Sequence, residues 1–595
     1  MVNMRVADYV MARLSAFGIK HLFMVTGRGI LYLSDAAAKH AEIECVSVHH
    51  EQAGAYAAMA YAQCTEKAGA CLVSTGCASA NAITPTLCAW QDEIPLVIIS
   101  GQNTLRETTR HTGLPIRTYG QQEFDIIGLV TPITKYAVMI EDPDSIAFEL
   151  DKALHLAVQS RKGPVWIDIP LDIQNMRVEP LELVRFVPEI LKLPLCNADI
   201  EYVKRALYRA VRPVLFIGSG VRSSGSLDMF RAFAKRFDFP VVYASSAVDS
   251  FGADYDLSMG VVSTMAGNRA ANFAVQNADL ILVIGCRLTS MTVGGSPEKF
   301  GREAQIIVVD IDEFEHKKGT VNIDKFIHAD AADFLASLTA EQGFAISDAW
   351  KAKCLHWKSV FPKCEESRKH SQLVDLHYLA EKLGVHLQND AILICDSGLE
   401  ELIMPNTVSY KRSQRCLHPA SQGAMGYALP AAIGAWLSTG RQVVAIIGDG
   451  SIMMNIQELQ TIAHHKYPIK ILIINNDCYA VIRNRQRDLF RSRTIGTDAS
   501  NGISCPEFEK VSACFDIEFA KINDANELDE KLFTILAAEG PIICEILSPP
   551  DQNFLHSSFT RSKEKKFVQR PLEDQSPFLD RSIFLSEMII EPIDQ

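Results

Sequence analysis

Short apolar runs recur along the whole chain and constrain its fold more than any other feature. Many are rich in Val and Ile, and they occupy residues 22–25, 96–99, 165–167, 214–217, 280–284, 306–309, 392–394, 443–447 and 471–474. Such runs are typical of strands buried on both faces of a parallel sheet. The segments between them show helical spacing of apolar residues, for example Val6, Val10, Leu14 and Phe17. This alternation predicts α/β domains with doubly wound parallel sheets.

Breaks in the alternation divide the 595 residues into three blocks. We expect a first domain over residues 1–175, a central Rossmann-like domain over 201–340 and a third domain over 376–550. Residues 176–200 carry scattered prolines and predict a surface linker, and 341–375 predict a helical connection. The charged tail, 551–595, is a candidate cover for an active site. The first and third blocks are candidates for diverged structural duplicates.

The charge and the apolar content of the chain limit the kinds of partner that it can bind. The chain has 58 Lys and Arg against 71 Asp and Glu, a net charge of −13, which argues against a nucleic-acid groove binder or a binder of anionic membranes. No apolar run approaches the roughly 18 residues that a membrane span needs. Charges at Arg5, Asp8 and Arg13 interrupt the start, which does not resemble a signal peptide. The 15 cysteines show no CxxC pair, so we expect buried thiols in a cytoplasmic protein.

The strongest local signal for chemistry lies between residues 443 and 476. An apolar strand runs into Gly448-Asp449-Gly450-Ser451, and a second strand ends on Asn475-Asn476. The glycines allow close approach to the backbone, and we expect Ser451 to open a helix whose N–H groups favour a phosphate. Asp449 and Asn476 follow two strands, at the edge where α/β sheets bind ligands, and their oxygens suit Mg²⁺.

Taken alone, Gly-Asp-Gly is usually a turn and Asn-Asn a loop. Together, with 24 residues between Gly450 and Asn475, they resemble the diphosphate-binding signature of thiamine diphosphate enzymes. The resemblance implies that the backbone carbonyl of Cys478 completes the protein ligands of Mg²⁺. The order HHEQAGAYAAMAYA from His49 resembles the acetolactate synthase-like branch of that superfamily.

Glu51 is the candidate catalytic residue. In the family that this segment resembles, the glutamate hydrogen-bonds N1′ of the cofactor's aminopyrimidine, which favours the tautomer that accepts the C2 proton of thiamine. A carboxyl in this role should be largely desolvated. A lone Glu at a helix start usually complements the helix dipole, so the assignment depends on the resemblance. His49 and His50 are open between active-site and structural roles.

The resemblance extends over nearly the whole chain. It implies cofactor-binding roles around the predicted turn and in several glycine-containing segments, namely Gly27, Gly76, Gln122, Gly398, Gly423, Met425, Gly448, Gly450, Ser451 and Tyr479. Met425 is apt to support the bent cofactor because it is apolar and adaptable, although a core role is the usual one for such a residue. Two roles are open for Arg28: it binds an anionic group of the substrate, or it is a surface arginine.

The central block resembles the FAD-binding domain of acetolactate synthases. Gly218-Ser219-Gly220 and Gly285-Cys286-Arg287 each follow a predicted strand, and Asp310 follows a third. The resemblance implies that Gly218, Gly220, Arg287, Asp310 and Asp330 contact FAD, in a structural role. The family's aspartate-rich continuation is replaced here by Leu288-Thr289-Ser290-Met291, so a domain without FAD remains the alternative.

Residues 477–486 depart from acetolactate synthases proper, where the acceptor would bind. They and the tail 570–581 resemble a subgroup associated with polysaccharide and deoxysugar biosynthesis. We therefore expect a carboligase that decarboxylates pyruvate or a related 2-keto acid and transfers a two-carbon unit to a keto acceptor, with a nucleotide-linked keto-sugar as the candidate. Acetolactate synthase itself, a simple 2-keto acid decarboxylase and a non-catalytic cofactor-binding protein are the alternatives. The resemblance also implies a homodimer or homotetramer with active sites between subunits.

Overall fold

The computed structural model describes residues 3–189, 193–339, 343–561 and 567–593. It contains three parallel six-stranded sheets, one in each of the α/β blocks, which confirms the predicted fold class. Every apolar run of the sequence pattern lies in one of these sheets. No helix among the described residues is long and apolar enough to cross a membrane.

The first sheet covers the N-terminal block, and its strands follow the spatial order Glu44–Ser47, His21–Met24, Gly69–Val73, Leu96–Gln102, Val165–Pro170, Tyr136–Met139. Numbered along the chain within the block, this is the order 2-1-3-4-6-5. The α-helices are Val6–Phe17, Leu31–Lys39, Glu51–Thr65, Cys77–Asn81, Ile83–Gln91, Thr109–Thr112, Ile126–Val130, Ile146–Val158 and Leu171–Asn175. Met4–Arg5 pairs antiparallel with Arg177–Val178 and joins the start of the domain to its end.

The central sheet has the order Ser258–Val261, Val241–Tyr243, Pro213–Ile217, Leu280–Ile284, Gln305–Asp310, Lys325–His328. This is 3-2-1-4-5-6, the strand order of dinucleotide-binding folds. Its helices are Asn197–Arg209, Gly220–Ser223, Leu227–Arg236, Arg269–Gln276, Ser290–Val293 and Ala331–Thr339, and Asp348–Val360 follows in the connection.

The third sheet has the order Arg415–Leu417, Ile392–Cys395, Val443–Gly448, Lys470–Asn475, Ile542–Leu547, Glu518–Ile522. This is again 2-1-3-4-6-5, so the first and third domains share one topology. The helices are Leu376–His386, Leu399–Thr407, Ala428–Thr439, Glu458–His465, Ala480–Leu489, Phe508–Cys514 and Leu528–Ala537.

The C-terminal tail packs on the central domain. Glu573 is buried and pairs with Arg302, and Gln575 bonds to Asn272. The tail also contains the helix Arg581–Glu587, and Glu587 pairs with Lys353 of the connection. The described tail is thus held to the central domain by buried polar contacts.

Small residues join the first and third domains. Helix Glu51–Thr65 packs along helix Ala428–Thr439, and a Cβ atom added to Gly434 would lie 1.9 Å from the carbonyl oxygen of Ala57. Only a glycine allows this approach. One apolar core runs continuously through both domains, with Tyr56 packed edge-on to Tyr427.

Candidate active site

The predicted diphosphate turn lies where the third sheet reverses its strand order. Ile392–Cys395 and Val443–Gly448 are the adjacent strands 1 and 3, and the chain leaves them in opposite directions along the sheet, toward strands 2 and 4. Open α/β sheets bind ligands in the crevice at such a point. Gly448, Asp449 and Gly450 follow the second of these strands, so the fold places the turn in that crevice.

Asp449 is held rigidly by backbone N–H groups. Its Oδ2 accepts bonds from the N–H of Asn476 at 3.1 Å and of Asp477 at 2.7 Å, and its Oδ1 accepts one from Gly450 at 2.7 Å. Burial raises the pKa of the Asp449 carboxyl to about 6. A bound cation would reverse this effect, because an opposite charge favours the carboxylate.

The predicted magnesium ligands come together around this carboxylate. The side-chain oxygen of Asn476 accepts an N–H from Cys478 at 3.2 Å. The carbonyl of Cys478 accepts one bond, from the N–H of Ala480 at 2.9 Å, and a carbonyl oxygen has a second lone pair. One carboxylate, one amide oxygen and one backbone carbonyl are hard donors that suit Mg²⁺ with phosphate and water oxygens completing its shell.

The predicted helix at Ser451 is wrong. A short 3₁₀ turn, Ile452–Met454, follows Ser451, and the α-helix begins only at Glu458. Asn455 breaks the segment with φ −138°, and its side chain bonds to the carbonyl of Gly426 at 2.7 Å. The Ser451 hydroxyl does not cap a helix but donates to Asp396 at 2.6 Å.

Asp396 is a central residue that the sequence argument missed. It is fully buried and accepts N–H bonds from Gly426 at 3.0 Å and Ala428 at 2.8 Å besides the Ser451 hydroxyl. It therefore fixes the segment containing Met425 against the diphosphate turn. The only signal in the sequence was an acidic residue at the end of an apolar run.

Other candidate residues of the third domain surround the same turn. A Cβ on Gly450 would lie 2.1 Å from the ring of Tyr479, so the ring rests directly on this glycine. Gly423 has φ +55° and faces the side chains of Glu401 and Ser397. Met425 is half-buried. Gly398, at φ +145°, opens the helix Leu399–Thr407 beside Gly448.

The first domain brings together a second group of candidates at its own strand reversal. Gly27 lies against Ser74, with 2.4 Å between its would-be Cβ and the hydroxyl oxygen. Gly76 has φ +67°, and its would-be Cβ would lie 2.1 Å from the carbonyl oxygen of Gln122. Arg28 donates a 2.5 Å hydrogen bond to Gln121 in the same loop. The two glycines thus allow the loops to pack closely, Gly27 against Ser74 and Gly76 against Gln122.

Glu51 is the first residue of helix Glu51–Thr65, and the His50 side chain caps that helix through the N–H of Gln52 at 3.1 Å. This contact gives His50 a structural role. The Glu51 carboxylate is half-buried in the single chain and accepts a 2.9 Å bond from Asn81. Asn81 holds the carboxylate in place at the helix start.

Direct contacts connect the two groups. The N–H of His49 bonds to Glu458 at 3.0 Å, and Asn455 bonds to Gln52 at 3.2 Å. The neighbours of Glu51 therefore touch the segment that follows the diphosphate turn of the same chain.

The central domain contributes a cavity of about 680 Å³ at the meeting of all three domains. Gly218 and Arg287 line it, and they lie at the strand reversal of the central sheet, where Gly220 packs against Gly285. Arg287 donates to the carbonyl of Gln91 at 2.6 Å. An adjoining cavity of about 240 Å³ is lined by Asp310 and Asp330.

Both carboxylates of the adjoining cavity have partners. Asp310 lies 3.2 Å from the His316 ring, and Asp330 caps helix Ala331–Thr339 through the N–H of Ala332 at 2.7 Å. The two cavities share the lining residues Ser219, Gly285 and Arg287, and the acidic groups lie at the end formed by the smaller one.

Comparison with known families matches the three domains separately. The N-terminal thiamine pyrophosphate-binding domain of thiamine pyrophosphate enzymes matches residues 4–129, the central domain 200–338 and the C-terminal thiamine pyrophosphate-binding domain 396–546. Thiamine pyrophosphate is another name for thiamine diphosphate.

Similar proteins of known family extend over almost the full length. A probable chloroplastic acetolactate synthase 2 of Oryza sativa is 30% identical, over 92% of this chain and 84% of that protein. The acetolactate synthase isozyme 2 large subunit of Escherichia coli is 29% identical, over 91% and 95%. The large subunit from Corynebacterium glutamicum is 31% identical, over 85% and 80%. The chain belongs to the thiamine diphosphate-dependent, acetolactate synthase-like family of carboligases.

Proposed function

We propose that this enzyme decarboxylates pyruvate or a related 2-keto acid and transfers the two-carbon acyl unit to a keto acceptor. The observation that carries the proposal is the arrangement of Asp449 and Asn476 around a glycine turn at the strand reversal of a domain that binds thiamine diphosphate in its family. When bound, the cofactor supplies the nucleophile and the electron sink, which amino-acid side chains lack.

The residues of the chain would orient this cofactor and keep water away. Asp449, Asn476 and the Cys478 carbonyl would hold Mg²⁺ and through it the diphosphate. Glu51 would share a proton with the aminopyrimidine ring, and Asn81 would keep its carboxylate in place. Met425 would support the ring, in a segment that Asp396 fixes.

Glu51→Gln tests the catalytic assignment. The amide keeps the size and the Asn81 contact but cannot exchange the proton, so turnover should fall at least a hundredfold, within the range general acid–base catalysis contributes. Cofactor affinity, measured by fluorescence titration with Mg²⁺, should stay near the wild-type value. Asn81→Ser serves as a companion variant with an intermediate loss. Near-normal turnover of the Gln variant would refute the role of Glu51.

The acceptor has two candidates. A nucleotide-linked keto-sugar is favoured by the segment 477–486, which departs from acetolactate synthases and places Arg483 and Arg485 after the metal loop. A second 2-keto acid is favoured by the relatives, which are named acetolactate synthases. Mass spectrometry of products from pyruvate alone, with added 2-keto acids and with keto-sugar nucleotides separates the two, and aldehyde alone would indicate a simple decarboxylase.

FAD is the proposed ligand of the joined central cavities, in a structural role. The dinucleotide-type strand order and the placement of Gly218, Gly220, Arg287, Asp310 and Asp330 around these cavities support it. A flavin absorption band in the purified protein, with flavin released on denaturation, is the expected result. Protein purified without any flavin after growth with riboflavin would overturn it.

We also propose a homodimer or homotetramer with active sites between subunits, in the cytoplasm. Exposed apolar side chains beside both candidate groups support the assembly: Leu114, Ile116 and Tyr119 in the first domain, and Ile482, Leu489 and Phe490 in the third. Light scattering coupled to size exclusion measures the assembly, and a monomer at micromolar concentration would contradict it.

A further inference from the structure

Glu458 is a buried carboxyl group that none of the roles above explains. It is the first residue of helix Glu458–His465, and its side chain is fully buried. A glutamate at this place usually complements the helix dipole, and its Oε2 accepts a 2.7 Å bond from the hydroxyl of Thr461 in the same helix. The dipole does not account for its Oε1, which accepts a 3.0 Å bond from the backbone N–H of His49 in the first domain.

That N–H lies in the short connection that leads to Glu51. Three residues join strand Glu44–Ser47 to the helix that Glu51 begins. The first of them bonds to a neighbouring strand through its N–H, and the third caps the helix with its side chain. The middle residue, His49, has its N–H bonded to Glu458 of the third domain. An acceptor from another domain therefore holds the middle of the connection.

A second bond holds the other side of Glu51 to the same segment. Asn455, three residues before Glu458, donates to the side chain of Gln52 at 3.2 Å. The two bonds thus flank Glu51, at positions 49 and 52, and both come from the segment that follows the diphosphate turn. Glu458 is the more selective residue to change, because Asn455 also bonds to the carbonyl of Gly426 at 2.7 Å.

We propose that Glu458 is a positioning residue for Glu51: by accepting the His49 N–H, it fixes where the helix starts and so where the Glu51 carboxylate lies. The inference rests on the proposed catalytic role of Glu51. The bond from Asn81 holds only the end of the Glu51 side chain. Displacing a catalytic group by about 1 Å costs roughly a hundredfold in rate, so the backbone at the helix start must be fixed as well.

Two variants of similar length separate acceptance of the bond from packing. Glu458→Gln keeps an oxygen that accepts the His49 N–H, and Glu458→Met fills the space without one. The readout is the rate at which the C2 proton of bound thiamine diphosphate exchanges in deuterium oxide, measured by NMR after an acid quench. Glu51 is proposed to promote this step, and the step needs no keto acid.

The expected result is a loss of C2 exchange without a loss of cofactor binding. With saturating Mg²⁺ and cofactor, exchange should slow by roughly tenfold or more in the Met variant and stay within about threefold of the wild type in the Gln variant. The dissociation constant of the cofactor, measured by calorimetry, should change less than about threefold in either variant, because both keep the turn 448–451. A role of Glu458 in folding alone would change affinity and exchange together.

A measurement without the cofactor tests the same contact. In the protein freed of cofactor, backbone amides of residues 48–54 should exchange hydrogen about tenfold faster in the Met variant than in the Gln variant, measured by mass spectrometry. Glu527→Met is the matched control. Glu527 caps helix Leu528–Ala537 and accepts the N–H of Asn523 at 3.0 Å, within its own domain, so its loss should leave both exchange rates unchanged.

Equal C2 exchange in the Met and Gln variants of Glu458, or a loss of exchange that a loss of cofactor affinity accompanies, would overturn the inference. Melting temperatures identify a misfolded variant, and Glu458→Ala, which also lacks an acceptor, replaces the Met variant if that one unfolds. Glu51→Gln separates this failure from that of the proposed function. If it slows C2 exchange while Glu458→Met does not, only the role of Glu458 fails. If Glu51→Gln exchanges at the wild-type rate, the catalytic role of Glu51 fails and the inference fails with it.

Discussion

Gly434→Ala should loosen the junction that positions Glu51. The added Cβ would lie 1.9 Å from the Ala57 carbonyl oxygen, whereas ordinary contact begins near 3.4 Å, so the two helices must separate by about 1.5 Å. The obstacle is a backbone atom in a helix and cannot rotate away. Overpacking of this kind costs about 3 kcal/mol at the upper end of its usual range. The higher helix propensity of Ala returns roughly 1 kcal/mol, which leaves a net loss of about 2 kcal/mol.

Hydrogen–deuterium exchange measures this loss where it occurs. A local destabilisation of about 2 kcal/mol corresponds to roughly thirtyfold faster exchange of amides that open with the helix. We expect this within Glu51–Thr65 and Ala428–Thr439, with exchange in the central sheet unchanged. Turnover should fall by about a hundredfold, because displacing a catalytic group by about 1 Å has effects of that size.

Gly384→Ala is the matched control. Gly384 also lies inside a helix, Leu376–His386, at a half-buried position. Its would-be Cβ lies 3.3 Å from the nearest atom, the backbone nitrogen of Ser409, so a shift of about 0.1 Å restores ordinary contact. That variant should be as stable as the wild type or more so. If Gly434→Ala matches it in exchange and turnover, the close helix contact does not position Glu51 and the argument fails.

Three further predictions test the site and the domain junctions. Asp449→Asn should weaken Mg²⁺-dependent cofactor binding at least tenfold in a calorimetric titration, and unchanged affinity would contradict the metal assignment. The variants Glu51→Gln and Asp449→Asn can be mixed after partial denaturation and assayed at a cofactor concentration too low to fill the Asp449→Asn site. Mixing should then restore up to a quarter of wild-type turnover if each active site combines two chains, and none if it does not. Asp249→Asn should cost about 3 kcal/mol, the lower end of the range for a buried pair, because it leaves the partly buried Arg415 and Arg222 without their shared buried carboxylate. These arginines hold the pKa of Asp249 well below its usual range. The Asp249 ion pairs therefore contribute fully to the stability of the fold above the ordinary carboxyl pKa of about 4, and this contribution is lost as the pH falls further. Acid denaturation curves of the variant should show a weaker dependence of stability on pH in that range.

The sequence predicts the sheets well because their central strands are covered on both faces. Residues 280–284 form an unbroken apolar run, and all five lie buried in the central sheet. Edge strands are harder to predict because one side meets solvent. Glu518–Ile522 mixes charged and apolar residues and lacked any apolar run. The pattern thus identifies the fold class but not the complete strand order.

The candidate site was predictable only where a local motif carries the chemistry. Asp449 and Asn476 stand in such a motif, and the fold brings them together as expected. Asp396 was missed because its role depends on bonds to residues 30 to 55 positions away. The prediction of a helix at Ser451 was wrong for the same reason, because the Asn455 side chain forms hydrogen bonds with the distant residues Gly426 and Gln52.

The shared strand order explains how the first and third domains of one chain pack together. Helix Glu51–Thr65 lies between strands 2 and 3 of the first domain, and helix Ala428–Thr439 lies between strands 2 and 3 of the third. These equivalent helices are the ones that pack closely, Ala57 against Gly434. The contact has the self-complementary form of a twofold dimer interface, formed here within one chain.

That arrangement gives each domain a corresponding role at the site. Glu51 begins the first helix, and the segment of Met425 and Gly426 immediately precedes the second. Both positions follow strand 2 of their sheet. The shared topology therefore puts the start of a helix at the same place in each domain, with different residues there. The first position carries a carboxyl group, and the second carries Met425 next to Gly426, whose N–H bonds to Asp396. The division of labour that we propose therefore assigns proton exchange to the helix start of one domain and support of the cofactor to the equivalent position of the other.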